Sequence, residues 1–492
     1  MTFSELLDTI ENNPAPATTE ETVQLLLAAE TASDAQPWDW SRLAELLVTK
    51  CGVDRKKVAR IVTSAKVKAA LGDYPYDAAS FIPLWLKAFG ITMSFDGVFR
   101  DRRGHERDTS YILNQIEDWC SSYAGSQRSP FMTKSLVFGA LDNWVSDNRE
   151  AKVAAAYTRV AYDGGADASE LGRFARYVTT VHDDPAFDAM RVRATEIALA
   201  NFIFRVKNHM RRRWKHSCHL MPIFHGPQGS SKTTAIDALL EPLAEVTTKT
   251  DFGIFSHDAK EFELTVVPVM FLDEMSGACA ADVSRIKQIM TQDRRAVRQL
   301  YRAPAMRTLV TTFIGASNKD VSTLIKDETG NRRFLQVETP ALDRNSFGGF
   351  DMLAIWRSVD EDAAEPPLYA SPEATACVKA VQDGQRYRGP VYDWVADGVE
   401  KPCGAIVYTD LFNQYYLPWL ELNDPASLRF ASARAMKSEL ERLIAAGDIT
   451  GIKMTNTGNR RHFRFSENDE KTKNPLDLID LLKAREKAEA RN

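Results

Sequence analysis

The chain lacks several things, and each absence removes a class of protein. Its 6 cysteines in 492 residues include no Cys-x-x-Cys spacing. That excludes a disulfide-stapled secreted scaffold and implies free thiols in a reducing compartment. His216, Cys218 and His219 lie close together but without a fourth ligand nearby, so a closed zinc site is not expected. No apolar run approaches the roughly 20 residues of a membrane span, and residues 1–12 carry acids rather than a basic-then-apolar leader. The expectation is a cytoplasmic protein with no membrane partner. Charge of neither sign dominates: 62 Lys and Arg against 67 Asp and Glu give a net charge of −5. Such a balance argues against a chain that coats nucleic acid along its whole length, while leaving room for local basic surfaces. What remains is a globular composition long enough for roughly three domains.

The most informative stretch is 221–234, Met-Pro-Ile-Phe-His-Gly-Pro-Gln-Gly-Ser-Ser-Lys-Thr-Thr. A short apolar run, a glycine-punctuated turn and a helical pattern give the order strand, phosphate-cradling loop, helix. Gly226, Pro227, Gln228, Gly229, Ser230, Ser231, Lys232, Thr233 and Thr234 would wrap the phosphates of ATP. Lys232 would reach the β- and γ-phosphates, and the Thr233 hydroxyl would hold Mg²⁺. Ser231 stands where a glycine usually precedes the lysine.

Later strands end in the residues that such a loop requires. Val-Val-Pro-Val-Met-Phe-Leu-Asp-Glu at 266–274 reads as a buried parallel strand with two acids at its carboxyl end. Asp273 would hold Mg²⁺ through water, and Glu274 would orient and activate the attacking water. The β pattern 308–318 ends in Asn318, an amide suited to the γ-phosphate and the lytic water. Arg332 and Arg333 precede another apolar strand and suit a finger reaching the γ-phosphate, in cis or from a neighbouring subunit. Between the second and third strands lies the basic, aromatic turn 298–307.

The order Gly-Pro-Gln-Gly-x-x-Lys-Thr, Phe-Leu-Asp-Glu, Gly-Ala-Ser-Asn, Thr-Gly-Asn-Arg-Arg-Phe resembles the virulence-associated protein E family over about residues 90–340. Those proteins are AAA+-like ATPases of phages, plasmids and phage satellites, related to superfamily 3 replicative helicases. The resemblance implies an α/β P-loop core and Walker A, Walker B and sensor roles for Lys232, Thr233, Asp273, Glu274 and Asn318. It also implies a trans-acting Arg332 or Arg333 in a homo-oligomeric ring, most simply a hexamer. The turn 298–307 then falls where related helicases grip one DNA strand in the pore, with Arg298, Tyr301, Arg302 and Arg307 as contacts, and translocation runs 3′ to 5′. A primase or polymerase of the host or the element is an implied partner.

The remaining organisation is read from composition and periodicity. Residues 1–85 predict a small helical module without a catalytic constellation, and 86–190 a mixed region with a hairpin around Asp96-Gly97. The ATPase would occupy 191–345, and a linker and helical connection 346–395. Residues 396–470 predict helix, helix, then basic hairpin, the order of a winged helix. Its DNA contacts would be Arg434 and Lys437 on the second helix and Lys453, Arg460 and Arg461 on the hairpin. Residues 471–492 are a charged tail. The expected function is an ATP-dependent replicative helicase or initiator; the alternative is an ATP-gated DNA-binding regulator that does not unwind. A packaging motor would need a nuclease cluster of acids after the ATPase, which is missing.

Overall fold

Phe3, Leu6, Leu7 and Ile10 recur at helical spacing and bury one face of the first helix, Phe3–Asn12, against Trp40, Leu43 and Leu47 of the helix Pro37–Thr49. The computed structural model describes residues 2–12, 37–124, 133–180, 184–213, 219–250, 258–275, 280–297, 304–324, 332–385, 388–397, 402, 404–457 and 460–465. Part of the predicted helical module, residues 13–36, and the charged tail 471–492 lie outside them. The described chain divides into two units, Met1–Ala155 and Ala156–Asn492.

In the first unit, Arg55–Leu71 completes the N-terminal helices. The helix Ala78–Phe89 starts at a reciprocal cap between Asp77 and Ser80 and stops at left-handed Gly90. The expected hairpin follows as a small antiparallel sheet, β1 (Thr92–Met93), β2 (Phe99–Arg100) and β3 (Glu106–Arg107). Its Asp96-Gly97 turn is held by Arg149, which donates to the carbonyls of Phe95 and Asp96 at 2.8 and 2.9 Å. Phe81, Trp85, Phe99, Ile112 and Ile116 form the core beneath it.

The second unit is built on seven strands and a separate C-terminal module. The strands are β4 (Met221–His225), β5 (Thr247–Thr250), β6 (Val269–Leu272), β7 (Arg294–Val297), β8 (Ala305–Thr308), β9 (Thr312–Ser317) and β10 (Phe334–Glu338). Five of them make a wholly parallel sheet in the order β10-β4-β9-β6-β5, while β7 and β8 pair as an antiparallel hairpin. Strands β6 and β9 are buried at every residue, as expected of a sheet covered on both faces. The β pattern at 308–318 is not one strand. Leu309 N bonds Asp293 O and Val310 N bonds Leu264 O, so the chain leaves the hairpin before entering β9.

The helix Pro185–Met210 opens on an Asp184 cap with proline in its first turn. It packs through Ala194, Ile197 and Ala198 on Leu220 and Leu335. The expected ATPase boundary at residue 191 therefore falls inside an element of the sheet layer. The stretch 346–395, the expected linker and helical connection, packs on the same core. Its helix Pro372–Gly384 shares that core through Val378 and Val381. Edge strand β10 is covered from there: Gln382 donates to Phe334 O, and Gln385 exchanges two bonds with the Gln336 backbone at 2.9 and 2.8 Å. Polar side chains thus occupy the edge that would otherwise template another strand.

A buried ion pair ties the Pro185–Met210 helix to the segment after Met352–Arg357. Lys207, fully buried, donates to Val359 O at 2.7 Å and lies 3.1 Å from a Glu361 carboxylate oxygen. The Tyr157 hydroxyl donates to the other oxygen at 2.6 Å. Burial pushes the Glu361 carboxyl up, but Tyr157, its backbone partner and Lys207 outweigh that and hold it below its ordinary range.

In the C-terminal module β11 (Gly404–Val407), β12 (Ile452–Thr457) and β13 (Arg460–Phe465) form an antiparallel sheet ordered β11-β13-β12. Two helical stretches precede the β12–β13 hairpin, as expected; β11 is an addition to that order. The first of the two helices predicted for 396–470 is Tyr408–Leu411, a π turn at Phe412–Tyr416, then Leu417–Asn423. Pro418 lacks the N–H that a continuous α-helix would need there. The helix Ala433–Ala446 is capped by Ser432 and ended by left-handed Gly447. Trp394, Leu411, Leu440, Leu443 and Phe463 are its core. Among the described residues no helix is long and apolar enough to cross a membrane.

Candidate active site

The parallel sheet brings the predicted loop, acids and amide to one edge. Strand β4 runs into the loop and the helix Lys232–Leu240. Its neighbour β9, ending before Asn318, lies between β4 and β6, the strand ending before Asp273 and Glu274. All these carboxyl ends face the same side, where ligands bind in open parallel sheets. They line a cleft of about 240 Å³ formed by Gln228, Gly229, Ser231, Lys232, Thr233, Thr234, Asp273, Glu274, Asn318 and Arg344, among others.

The loop's backbone explains its composition. A Cβ on Gly226 would sit 2.6 Å from the Thr339 carbonyl oxygen, so glycine is required there. Gly229 and Ser231 both adopt left-handed backbone, at φ 82° and 63°. The left-handed conformation at 231 is why glycine is the usual residue there; nothing in the structure explains the serine. Glu274 shares this conformation, at φ 59°.

Lys232 is only 6% exposed and folds back onto its own loop. It donates to Gly226 O and Pro227 O, each at 2.7 Å, and to Ser230 Oγ at 3.1 Å. Burial lowers its pKa, and the charges of Asp273 and Glu274 counter that. The Thr233 hydroxyl donates to Asp273 Oδ1 at 3.1 Å, which puts a hydroxyl and a carboxylate together as a hard cation such as Mg²⁺ prefers.

Two residues of the cleft region were not foreseen. Lys249, at the end of β5, lies 3.0 Å from Asp273 Oδ2 and 3.8 Å from Asp237, with its ammonium over the Phe271 ring. The β-branched run Thr-Thr-Lys-Thr was the available signal for that strand. Arg344 reaches the cleft from the segment after β10, whose Leu342 N bonds Ser230 O. No motif flags it.

Arg332 and Arg333 are placed elsewhere. They precede β10, and Arg333 O accepts from Met221 N at the amino end of β4. The 5 residues of β10 then span roughly 16 Å to the carboxyl edge. A cis finger is thereby removed. His219 lies in their field; burial first, then Arg205, Arg333 and Arg332, hold its pKa down to about 3.

Of the residues expected to contact DNA, Arg298, Tyr301 and Arg302 lie outside the described ones. Arg307 stacks over the Phe262 ring within the subunit, 5.2 Å from its centroid. The hairpin base is held by buried Glu261, which accepts from Arg285 at 2.7 Å and from Arg295 at 3.2 Å. Arg434 and Lys453 are exposed and Lys437 is half-buried; Arg460 and Arg461 occupy β13 opposite Thr457 and Asn456.

The family model for the virulence-associated protein E-like domain matches residues 186–359. The chain carries a virulence-associated protein E-like domain. The match runs from the helix Pro185–Met210 past Arg344 and so contains the whole cleft, whereas residues 90–185 lie outside it. No curated protein matches the chain. Two apo structures of the NrS-1 C-terminal region are similar at a low level. One has 12% identity over 59% of this chain and 77% of that chain, with a TM-score of 0.33. The other has 11% identity over 75% and 93%, also with a TM-score of 0.33. A likeness this slight carries no weight for the virulence-associated protein E-like domain described here.

Proposed function

We propose that the chain is an ATP-dependent replicative DNA helicase and replication initiator of a phage, plasmid or phage satellite, working as a homo-oligomeric ring in the host cytoplasm. The observation that carries this reading is the convergence of Lys232, Thr233, Asp273, Glu274 and Asn318 on one cleft. In this reading the parallel sheet is an AAA+-like P-loop core of the superfamily 3 type. The C-terminal module is a winged helix that binds origin DNA. The virulence-associated protein E-like match supports the assignment to a mobile element.

Lys232 exchanges its loop carbonyls for the β- and γ-phosphates of ATP. Mg²⁺, held by Thr233 and Asp273, supplies charge neutralisation on the phosphates. Glu274 orients and deprotonates the attacking water, while Asn318 bonds the water and the γ-phosphate. Arg344 adds positive charge in cis. Arg332 or Arg333 serves the neighbouring subunit's cleft, the most economical ring being a hexamer. Hydrolysis then drives the β7–β8 hairpin along one strand, and a primase or polymerase uses the opened template.

A second reading, an ATP-gated DNA-binding regulator without unwinding, is favoured by one observation: Arg307 packs on Phe262 rather than projecting. Strand displacement from forked DNA, with a labelled strand of each polarity, separates the two. The helicase reading expects ATP-dependent displacement with 3′ to 5′ polarity. ATP turnover and DNA binding without displacement would overturn it in favour of the regulator.

A further inference from the structure

We propose that the outward face of the antiparallel sheet β11-β13-β12, centred on Lys453 and Arg464, is the surface by which the C-terminal module holds the phosphate backbone of duplex DNA. This rests on the DNA-binding reading above and relocates its contacts from the second helix to the sheet.

The three strands carry Lys453, Arg460, Arg461 and Arg464, and no acid. Side chains alternate between faces along a strand. The inward positions Ile452, Phe463 and Phe465 are buried in the module's core. At the opposite parity Lys453, Arg464 and Ala405 are exposed. Register puts Lys453 directly opposite Arg464, with Ala405 on Arg464's other side, so one small residue flanks two cations. Thr455 and His462 continue the same parity.

Like charges directly opposite each other on an antiparallel pair are destabilising. A folded protein keeps such a pair at a cost, and a polyanion turns that cost into binding. The second helix is different. Its Lys437 lies 3.7 Å from Glu441 and over the Tyr408 ring, and its Arg442 pairs with Glu439 at 2.5 and 3.0 Å. Two of its three basic side chains are thus turned to acids of the same helix, leaving Arg434 exposed. Among the described residues no ion pair joins Lys453 or Arg464 to an acid, and on the sheet the two cations stand directly opposite each other.

The test is fluorescence anisotropy of labelled duplex DNA with the full chain across a potassium chloride series, beside thermal melts. Three proteins are compared: wild type, Lys453→Gln with Arg464→Gln, and Arg434→Gln with Lys437→Gln. The sheet variant should bind about tenfold or more weakly and flatten the log K against log salt slope by about 1.8, two phosphate contacts' worth. It should melt at the same or a higher temperature, since a repulsive pair has been removed. The helix variant should stay within about threefold, and Lys453→Arg with Arg464→Lys should restore binding, because positive charge is what the phosphates require. Wild-type affinity and slope in the sheet variant, or a larger loss in the helix variant, would overturn the assignment while leaving DNA binding standing. If the wild type itself binds no duplex, the reading beneath it falls too.

Discussion

The sheet β10-β4-β9-β6-β5 is covered on both faces, so its chemistry lies at strand ends, where loops and side chains converge on a cleft. The sheet β11-β13-β12 packs one face and leaves the other to water, so whatever it binds must meet that face. One fold device makes a pocket, the other a platform. Both hold local strain at the point of use: left-handed Ser231 and Glu274 at the cleft, and opposed Lys453 and Arg464 on the platform. Strain kept by the surrounding structure is characteristic of functional positions.

The largest expected effect breaks the support of the parallel sheet. Glu361→Ala leaves Lys207 buried without its carboxylate and should cost about 3–5 kcal/mol of stability by urea unfolding. Replacing both partners by apolar residues, Lys207→Met with Glu361→Leu, should recover most of that loss.

Acid offers the next contrast. Burial first, then the Arg205 charge, holds His209 well below its ordinary pKa, against the Val310 carbonyl that favours the proton. His219 is held down to about 3. Unfolding lets both histidines bind protons near their ordinary pKa of about 6.5, so the unfolded state carries more protons below that pH. Their contribution is therefore fully present above about pH 6.5 and lost as pH falls toward about 3. The parallel-sheet core should melt at progressively lower temperature from pH 7.5 to 5, and His209→Gln should flatten the profile.

The smallest effect concerns strain. Ser231→Gly should raise stability by about 1 kcal/mol, because glycine adopts left-handed backbone without the side-chain penalty. Calorimetry on the variant checks this, and a destabilised variant would mean that the serine side chain matters more than its backbone.

How much was legible in the sequence followed the same division. The loop, Asp273, Glu274 and Asn318 were readable because parallel strands leave apolar runs that end in polar residues at the working edge. At Ser231 the left-handed backbone explains why glycine is usual, but not why serine stands there. Lys249 and Arg344 were not readable, since they reach Asp273 and the cleft through strand order and a return segment that no local spacing encodes. The covering role of Gln382 and Gln385 was hidden for the same reason; their stretch read as a helical connection with no partner assigned. On the platform the basic hairpin was visible in sequence. Which face carries its charge depended on pairing register, and the neutralising acids of the second helix on its turns.

Phosphate release from ATP with Mg²⁺, measured for the purified chain and for Lys232→Ala, tests the central claim most directly. The account predicts steady turnover by the wild type and a loss of about 100-fold or more in the variant, with the fold retained by circular dichroism in the absence of nucleotide. Equal turnover by both proteins, or none by a wild type that binds no ATP, would contradict it.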